Sequence, residues 1–456
     1  MSRSVYTLLV VESPVMARII QKVCPPSVYV LATGGFCWRP GYDPETNELK
    51  AKADPEKRKL RSELKEQARL ANRVVIAADQ DPSGDFIAWA AARFLKRPDI
   101  QWGRLQSISR QGIFSMLSEV QQIDFSRLEN RLKNRFLIQN EWESSNQVKM
   151  DLAGLTAVFG ASNDYQHFLD EDGRLYKSSG LFRCSQDEWI PVQPGQNKNH
   201  IPVYKPLALY DLFSPAMEKK LAGTYQEIQL LVQQLFQTIL QFSEESLISY
   251  PRTSARAFYS ETWEAISSQY MKIGPVSELK PRFLQEVADP DLPHESIHPL
   301  NLAHSPEQIK GELPKTTGEL YEWIYNHTIR CITLPAPLEA SYTNELNPGV
   351  YFYDAEKDDK PNRVPTSLRP GITLGDLGTA MNRLGTGRPS SFGKKLDEWS
   401  EKKWVRIEGE IVKPGTEILK YLNDAESYER ILTELGKLSE NENLTAETVR
   451  GVLTSY

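Results

Sequence analysis

Two aspartates that follow an apolar segment form a pattern suited to a divalent cation. Asp79 and Asp81 are two residues apart and come directly after the run Arg-Val-Val-Ile-Ala-Ala at residues 73–78. Where a strand ends and the chain turns, both carboxylates can converge on one hard cation, and Mg²⁺ takes oxygen ligands while keeping several waters. An isolated Asp-x-Asp is more often a polar turn, but the apolar run before it favours a metal site.

A third carboxylate ends another apolar run. Glu12 follows residues 5–11, Val-Tyr-Thr-Leu-Leu-Val-Val. If the two runs are neighbouring parallel strands, all three carboxylates lie at one edge of the sheet, where α/β sheets bind ligands. We therefore predict that Glu12 handles a proton beside the cation.

A candidate nucleophile lies in the middle of the chain. Tyr250 stands in Leu-Ile-Ser-Tyr-Pro-Arg-Thr-Ser, and Arg252 is two residues further on. A free tyrosine is a weak nucleophile because its pKa is about 10, so phosphoryl transfer requires positive charge nearby. In an extended segment Arg252 projects to the same side as Tyr250 and can bind a phosphate in bidentate fashion. Taken alone, such a loop is usually surface structure.

The patterns around these residues predict the elements that position them. Residues 5–11 and 73–78 are predicted to be buried strands, and residues 15–23 and 86–95 are predicted to be helices that follow them. Two β-then-α units indicate a parallel α/β sheet. Ser13 and Pro14 suit the cap and first turn of the first helix.

Further along, helical periodicity alternates with loop-like composition. Helices are predicted at residues 55–71, 126–150, 225–242, 318–332 and 445–453, short strands and loops at 164–204, and a connector at 345–370. Residues 373–423 have the order of a winged helix, with a helix, a Gly-Arg-Pro-Ser turn, a second helix from about residue 392 and a hairpin at 405–413.

The composition is that of a globular protein. The 456 residues suffice for roughly two to four domains. The net charge of −6 counts mildly against a nucleic-acid binder, although a basic groove can lie on an acidic body. No apolar run is long enough for a membrane helix and no secretory signal is recognised. The cysteines Cys24, Cys37, Cys184 and Cys331 form no Cys-x-x-Cys pair, which disfavours zinc and disulfides and favours the cytoplasm.

Six segments together resemble conserved motifs of the type IA DNA topoisomerases, in the order of that family. They are Val-Val-Glu-Ser-Pro at 10–14, Ala-Thr-Gly-Gly-Phe at 32–36, Ile-Ala-Ala-Asp-Gln-Asp-Pro-Ser-Gly-Asp-Phe-Ile-Ala-Trp at 76–89, Leu-Ile-Ser-Tyr-Pro-Arg-Thr-Ser at 247–254, His-Glu-Ser-Ile-His-Pro at 294–299 and Leu-Gly-Thr-Gly-Arg-Pro-Ser-Ser at 384–391. Each motif alone is moderately specific, but their joint occurrence by chance is very small.

The resemblance implies an α/β toprim domain plus mixed α+β lobes that close a ring. It implies a toprim domain at 1–125, a winged-helix-like DNA-binding lobe at 126–163 and 365–456, an arch at 164–205 and 300–364, and a tyrosine-bearing lobe at 206–299.

The resemblance also implies a reaction and a role for each site residue. One DNA strand is cleaved through a 5′-phosphotyrosine, another strand passes, and the break is resealed without ATP. The catalytic residues are Tyr250, Arg252, Glu12 and His294, the Mg²⁺ ligands are Asp79, Asp81 and Asp85, and the DNA-binding residues are Arg131, Arg135, Arg388 and Ser390. The implied partner is DNA, both as single-stranded segments and as negatively supercoiled duplex. No membrane partner is implied.

Departures from the family pattern leave the activity open between alternatives. Ser83 stands where the third acidic residue is expected, Met16 replaces a lysine, Phe36 a histidine and Ser254 an aspartate. Asp85 either substitutes as a ligand through water or matches only the family's later acidic residue. The first hypothesis is a compact active topoisomerase. The second is a divergent, catalytically weak accessory protein that binds single-stranded DNA, and the third is a toprim nuclease or primase.

Overall fold

The structure is a computed structural model, and it describes residues 6–78, 82–95, 97, 99–103, 110–145, 148–160, 166–169, 175–178, 181–185, 188–191, 205–243, 245–274, 279, 284–285, 294–333, 350–352, 362–363, 372–409, 411–442 and 444–455. The chain forms two compact units. The N-terminal unit comprises Met1–Gln147, Gln234–Tyr250 and Thr433–Tyr456, and the central unit comprises Val148–Gln233 and Pro251–Leu432. The fourfold domain division predicted above stays a prediction.

The described strands and helices are numbered in chain order. The strands are β1 (Thr7–Val11), β2 (Val28–Ala32), β3 (Trp38–Asp43), β4 (Glu48–Ala53), β5 (Arg73–Ala77), β6 (Ile100–Trp102), β7 (Gln121–Gln122), β8 (Gln166–Leu169), β9 (Leu175–Ser178), β10 (Leu181–Ser185), β11 (Glu188–Pro191), β12 (Phe258–Tyr259), β13 (Leu284–Gln285), β14 (Val350–Phe352), β15 (Asn362–Arg363), β16 (Ile372–Thr373), β17 (Val405–Glu408) and β18 (Ile411–Pro414). The helices are α1 (Pro14–Val23), α2 (Arg58–Leu70), α3 (Pro82–Leu95), α4 (Arg110–Ser118), α5 (Phe125–Ser145), α6 (Met150–Phe159), α7 (Phe213–Glu218), α8 (Tyr225–Gln237), α9 (Ser260–Ile273), α10 (Lys315–Thr333), α11 (Leu374–Arg383), α12 (Phe392–Glu401), α13 (Ala425–Leu438) and α14 (Ala446–Thr454). Among the described residues, no helix is long and apolar enough to cross a membrane.

A five-stranded sheet is the centre of the N-terminal unit. Its strand order is β2-β1-β5-β6-β7, with the first four strands parallel and β7 antiparallel at the edge. The apolar runs of β1 and β5 are buried because helices cover a parallel sheet, and Leu8, Val10, Val74 and Ile76 are fully buried. The predicted parallel α/β sheet is therefore confirmed.

Two local features of this unit differ from the sequence expectations. The segment before α2, for which the sequence predicted no element, forms the antiparallel β3–β4 hairpin, in which Trp38 pairs with Ala53. Its turn needs a left-handed residue, and Asn47 supplies it with a φ of 52°. The helix expected at 126–150 ends at Ser145, and the more apolar α6 follows as a separate helix in the central unit.

The central unit contains the predicted winged-helix elements. Helices α11 and α12 are followed by the β17–β18 hairpin, and β16 completes a three-stranded antiparallel sheet. Close packing fixes this arrangement, because a Cβ on Gly378 would lie 2.2 Å from Cγ of the buried Tyr210 ring. The unit also holds the antiparallel sheet β11-β10-β14-β15 and the β8–β9 pair.

Candidate active site

Glu12 lies at the sheet edge that the sequence predicted for it. Strands β1 and β5 are parallel neighbours, and Val11 is in register with Ala77. Glu12 and Ala78 are the next residues of the two strands, so the chain enters the Asp-x-Asp segment beside Glu12. The prediction that the two apolar runs are neighbouring strands is confirmed.

A glycine turn closes over the backbone of Glu12. The carbonyl oxygen of Glu12 accepts hydrogen bonds from the backbone N–H groups of Gly34 at 2.7 Å and Gly35 at 3.4 Å. Both glycines have positive φ values of 63° and 81°, which L side chains rarely adopt. The ammonium group of Lys57 donates to the carbonyl oxygen of Gly34, so a cation lies on this turn.

The aspartates predicted to bind the metal, Asp79 and Asp81, lie outside the described residues. Ser83 belongs to the first turn of α3. Within the described part of the chain, no group of three or more His, Cys, Asp or Glu side chains is placed to hold a metal ion. The predicted ligand set therefore stays a prediction.

Asp85 makes contacts that the sequence did not predict. This residue of α3 is 1% exposed, and its Oδ2 accepts hydrogen bonds from Arg131 and Arg135 of α5. The Arg131 Nε distance is 3.1 Å and the Arg135 Nη1 distance is 2.9 Å. The Oδ1 atom is buried and has no hydrogen-bond partner in the described part of the chain. The carboxylate of Glu440 also acts electrostatically on both guanidinium groups, so two carboxylates face two cations.

These contacts revise the expectations for all three residues. Asp85 does not fit a direct Mg²⁺ ligand, because two cations already contact its carboxylate and would repel a third. Arg131 and Arg135 have an intramolecular anion as partner, and 31% and 26% of their side chains stay exposed. Their predicted contact with DNA stays a prediction and would use that exposed part. Glu12 at the strand edge still fits a metal-side carboxylate.

Tyr250 is buried at the end of the N-terminal unit's middle segment. It is 7% exposed, and its ring meets that of Phe236 edge-on, with centroids 5.5 Å apart and an interplanar angle of 87°. The predicted helix at 225–242 stops at Gln237 because the chain turns back there. Ile239 forms an antiparallel bridge with Ser246, and the Leu247 N–H donates to the Thr238 carbonyl at 3.2 Å. This turn leads the chain into Tyr250.

The residues after Tyr250 begin the central unit, where backbone contacts hold them in place. Arg252 is partly exposed. Thr253 is buried, its carbonyl accepts from the Leu209 N–H at 3.0 Å, and its Oγ1 lies 3.5 Å from the His294 carbonyl. The predicted phosphate-side residues Arg252 and His294 are thus joined through Thr253. Their contact with a phosphate stays a prediction.

Two neighbours of His294 were not singled out by the sequence. Glu295 accepts from the Tyr259 N–H at 3.1 Å and from the Thr262 hydroxyl at 2.9 Å. Burial raises the pKa of Glu295. His298 is 1% exposed, with Nδ1 2.9 Å from the Ser296 carbonyl. The His-Glu-Ser-Ile-His-Pro motif was the signal in the sequence that pointed to these residues. It did not distinguish residues that hold the local structure from residues that would react.

The sequence also missed an ion pair within the central unit. Arg256 binds Asp211 in bidentate fashion, with Nε–Oδ2 at 3.0 Å and Nη2–Oδ1 at 2.7 Å. Asp211 Oδ2 also accepts from the Ala208 N–H, and Arg256 donates to the Thr379 hydroxyl. No local pattern could reveal this pair, because its members are 45 residues apart.

The predicted DNA contacts of the winged helix lie in its turn. Arg388 and Ser390 flank Pro389 in the single 3₁₀ turn before α12, and both are partly exposed. Gln229 holds this turn, donating to the Ser390 carbonyl at 2.7 Å and accepting from the Gly393 N–H at 3.0 Å. These two hydrogen bonds hold the backbone of the turn in place. The contact of the turn with DNA stays a prediction.

Comparison with known proteins agrees with this architecture. The family model of the Toprim domain matches residues 7–110, which contain the four parallel strands of the sheet and Glu12. A crystal structure of full-length topoisomerase I from Thermotoga maritima superposes with a TM-score of 0.62 over 98% of this chain and 89% of that chain, at 17% sequence identity. The chain has a type IA topoisomerase-like fold. The fold prediction is therefore confirmed.

Within this topoisomerase-like fold, three residues that differ from the family pattern have ordinary structural roles. Met16 is buried in α1, and the exposed Arg18 nearby folds back to the Pro14 carbonyl at 3.4 Å. Phe36 meets the Phe86 ring edge-on at 5.5 Å. Ser254 accepts a hydrogen bond from Asn382 at 3.3 Å. Met16 is buried and Phe36 packs on another ring, at positions where the family pattern has a lysine and a histidine.

Proposed function

We propose that the protein is a type IA DNA topoisomerase that cleaves one strand, passes another and reseals the break without ATP. The observation that carries this proposal is the topoisomerase I fold along 98% of the chain, with a Toprim domain at residues 7–110. A Toprim nuclease or primase would need neither the tyrosine segment nor the winged helix. The observed fold is therefore not the one expected for a Toprim nuclease or primase.

In the proposed reaction the Tyr250 oxygen bonds to phosphorus and its proton passes to water. The bond from phosphorus to the 3′ oxygen breaks, and Glu12 donates a proton to that leaving oxygen. Arg252 and His294 neutralise the charge that develops on the phosphate. Resealing is the reverse transfer, so the phosphotyrosine conserves the bond and no nucleotide is hydrolysed.

Mg²⁺ is the proposed cofactor, held by Asp79 and Asp81, with Glu12 beside it as the proton-handling carboxylate. When bound, it supplies positive charge that holds the DNA backbone near the sheet edge. Asp85 is excluded from this proposed set because of its two arginine partners.

The covalent intermediate gives the direct test. Incubation with an end-labelled single-stranded oligonucleotide, followed by denaturation, should leave a labelled DNA–protein band. Tyr250→Phe should abolish that band because it removes the attacking oxygen. Tyr29→Phe is the matched control, since Tyr29 is a 37% exposed tyrosine of the same unit, and it should keep the band. A band that persists in Tyr250→Phe would refute the assignment of the nucleophile.

A second candidate is a single-stranded DNA-binding protein with weak or no strand passage. It is favoured by Ser83 in place of a carboxylate and by the pairing of Asp85 with two arginines. Relaxation of negatively supercoiled plasmid by the purified protein separates the two. Binding without relaxation at any Mg²⁺ concentration would favour the second candidate.

A further inference from the structure

One face of α10 forms a pocket that belongs to none of the predicted site residues. The cavity has a volume of about 230 Å³ and lies entirely within the central unit. Its lining residues are Lys219, Glu322, Trp323, Asn326, His327 and Arg330. The helical members are three or four residues apart, so they share one side of α10. Lys219 comes from the turn after α7.

Two rings form an ordered wall of this pocket. The rings of Trp323 and His327 have centroids 5.1 Å apart and an interplanar angle of 33°. His327 Nε2 lies 2.8 Å from the Lys205 carbonyl, which can only accept, so Nε2 carries the hydrogen. Burial lowers the pKa of His327, and the charge of Arg330 acts in the same direction. The hydrogen bond of Nε2 thus holds the imidazole beside the indole.

The charges around these rings suit a phosphate. Lys219 and Arg330 are both exposed cations, whereas Glu322 is the single carboxylate among the lining residues. An arginine fork and an ammonium group are the usual partners of phosphate oxygens. Glu322 only accepts hydrogen bonds, and Asn326 both donates and accepts. Such groups can pair with a base that carries an exocyclic amine.

We propose that this pocket binds one nucleotide unit of single-stranded nucleic acid, with the base against Trp323 and the phosphate held by Lys219 and Arg330. Stacking on aromatic rings beside a positively charged track is how single strands are bound without sequence readout. The proposal goes beyond the proposed function, because it requires binding only and no cleavage by Tyr250.

Photo-cross-linking tests where the strand lies. The probe is a short oligodeoxycytidine with one 5-iodocytosine, used with the full chain carrying Tyr250→Phe so that no cleavage intervenes. Trypsin cuts after Lys315 and Arg330, so residues 316–330 form one peptide that contains both rings. We expect the cross-link in this peptide, and its absence there, with cross-links elsewhere, would overturn the proposal.

Affinity measurements supply the second test. Binding of the fluorescent oligonucleotide, followed by anisotropy, should weaken about fivefold or more in Trp323→Ala. Because that ring is partly buried, the double variant Lys219→Gln/Arg330→Gln tests the same pocket through exposed side chains and should also weaken binding. Lys310→Gln removes one exposed charge of the same unit outside the pocket and should not. If the double variant binds like Lys310→Gln, the proposal is wrong.

The outcomes also separate this proposal from the enzyme assignment. A Tyr250 adduct without a cross-link in 316–330 would keep the proposed function and discard the pocket. A cross-link there without any adduct would do the opposite. If inorganic phosphate competes with the oligonucleotide in the anisotropy measurement but no cross-link forms in 316–330, the pocket is a simple anion site. That outcome also contradicts the proposal.

Discussion

Asp85 of the N-terminal unit and Asp211 of the central unit both contact arginines, but they do so in different ways. Asp211 faces one arginine in a neutral pair, and each of its oxygens accepts at least one hydrogen bond. Asp85 presents a single oxygen to two arginines, and its other oxygen has no partner among the described residues. The first arrangement is a closed bidentate pair, whereas the second is open at Oδ1 of its carboxylate.

The difference indicates different purposes for the two clusters. The Asp211–Arg256 pair braces the segment that follows Tyr250, because it joins that segment to the 3₁₀ turn at Leu209–Leu212 and to Thr379 of α11. The Asp85 cluster lies at the first turn of α3, and its two guanidinium groups stay partly exposed. Asp211 thus serves the architecture, whereas the exposed parts of Arg131 and Arg135 stay accessible to an anionic ligand.

The largest stability effect is expected at the closed pair. Asp211→Asn leaves Arg256 without its counter-charge and should lower the free energy of unfolding by about 3 kcal/mol, the low end for a broken buried pair, because both side chains keep some solvent contact. Urea unfolding measures this change. Glu417→Gln, in an exposed pair with Lys420 of the same unit, is the control and should have no measurable effect.

The same pair predicts a pH dependence. Burial alone would raise the pKa of Asp211, but Arg256 holds that pKa below its ordinary value of 3.8. Because the folded-state pKa is lower than the unfolded one, the stabilisation is complete well above pH 3.8 and is lost as the pH falls through the folded-state value. Asp211→Asn should therefore flatten the acid limb of the stability profile. An acid limb identical to that of the unmodified protein would show that other carboxylates control it.

A smaller loss is expected at the open cluster. Asp85→Asn should cost about 1 to 2 kcal/mol, because Arg131 and Arg135 are partly exposed and recover hydration when the carboxylate is neutralised. Asp43→Asn, in an exposed pair with Lys50 of the same unit, should leave the unfolding midpoint unchanged. If Asp85→Asn proves as costly as Asp211→Asn, the distinction between a closed and an open cluster fails.

The sequence revealed what depends on local pattern and missed what depends on distant partners. Neighbouring strands β1 and β5, and hence the position of Glu12, followed from two apolar runs with acidic ends. The pairing of Asp85 with Arg131 spans 46 residues, and nothing in either segment encodes it. Arg131 and Arg135 could be placed on one helix face from their spacing, but the anion that faces them could not. The sequence did not predict the β3–β4 hairpin, because Asn47 in its turn is not followed by a glycine.

The open cluster should influence DNA binding more than the closed pair does. Arg131→Gln/Arg135→Gln should make the slope of log K against log salt shallower by about 1.4, since each phosphate contact with a single strand contributes about 0.7. Arg127→Gln removes an exposed charge of the same helix and serves as control. An unchanged slope in the double variant would mean that both guanidinium groups serve Asp85 alone.

The subtlest effect concerns the position two residues before Asp85. Ser83 stands where a carboxylate is expected, so the proposed acidic cluster of Asp79, Asp81 and Glu12 lacks one negative charge. Mg²⁺ affinity depends on charge and oxygen count, and a serine hydroxyl is a neutral, weaker ligand.

Cleavage by Tyr250 is assigned mainly to Arg252 and His294, whereas resealing requires the 3′ hydroxyl to be held in line near the cation. We therefore expect adduct formation with little Mg²⁺ and plasmid relaxation only at raised Mg²⁺. Ser83→Glu should lower the Mg²⁺ concentration that gives half-maximal relaxation, and Ser83→Gln, which adds the same bulk without charge, should not. If the unmodified protein relaxes plasmid fully at low Mg²⁺ and Ser83→Glu changes nothing, the missing carboxylate is not the limiting ligand. If Ser83→Gln shifts the midpoint as far as Ser83→Glu, side-chain size rather than charge governs the site.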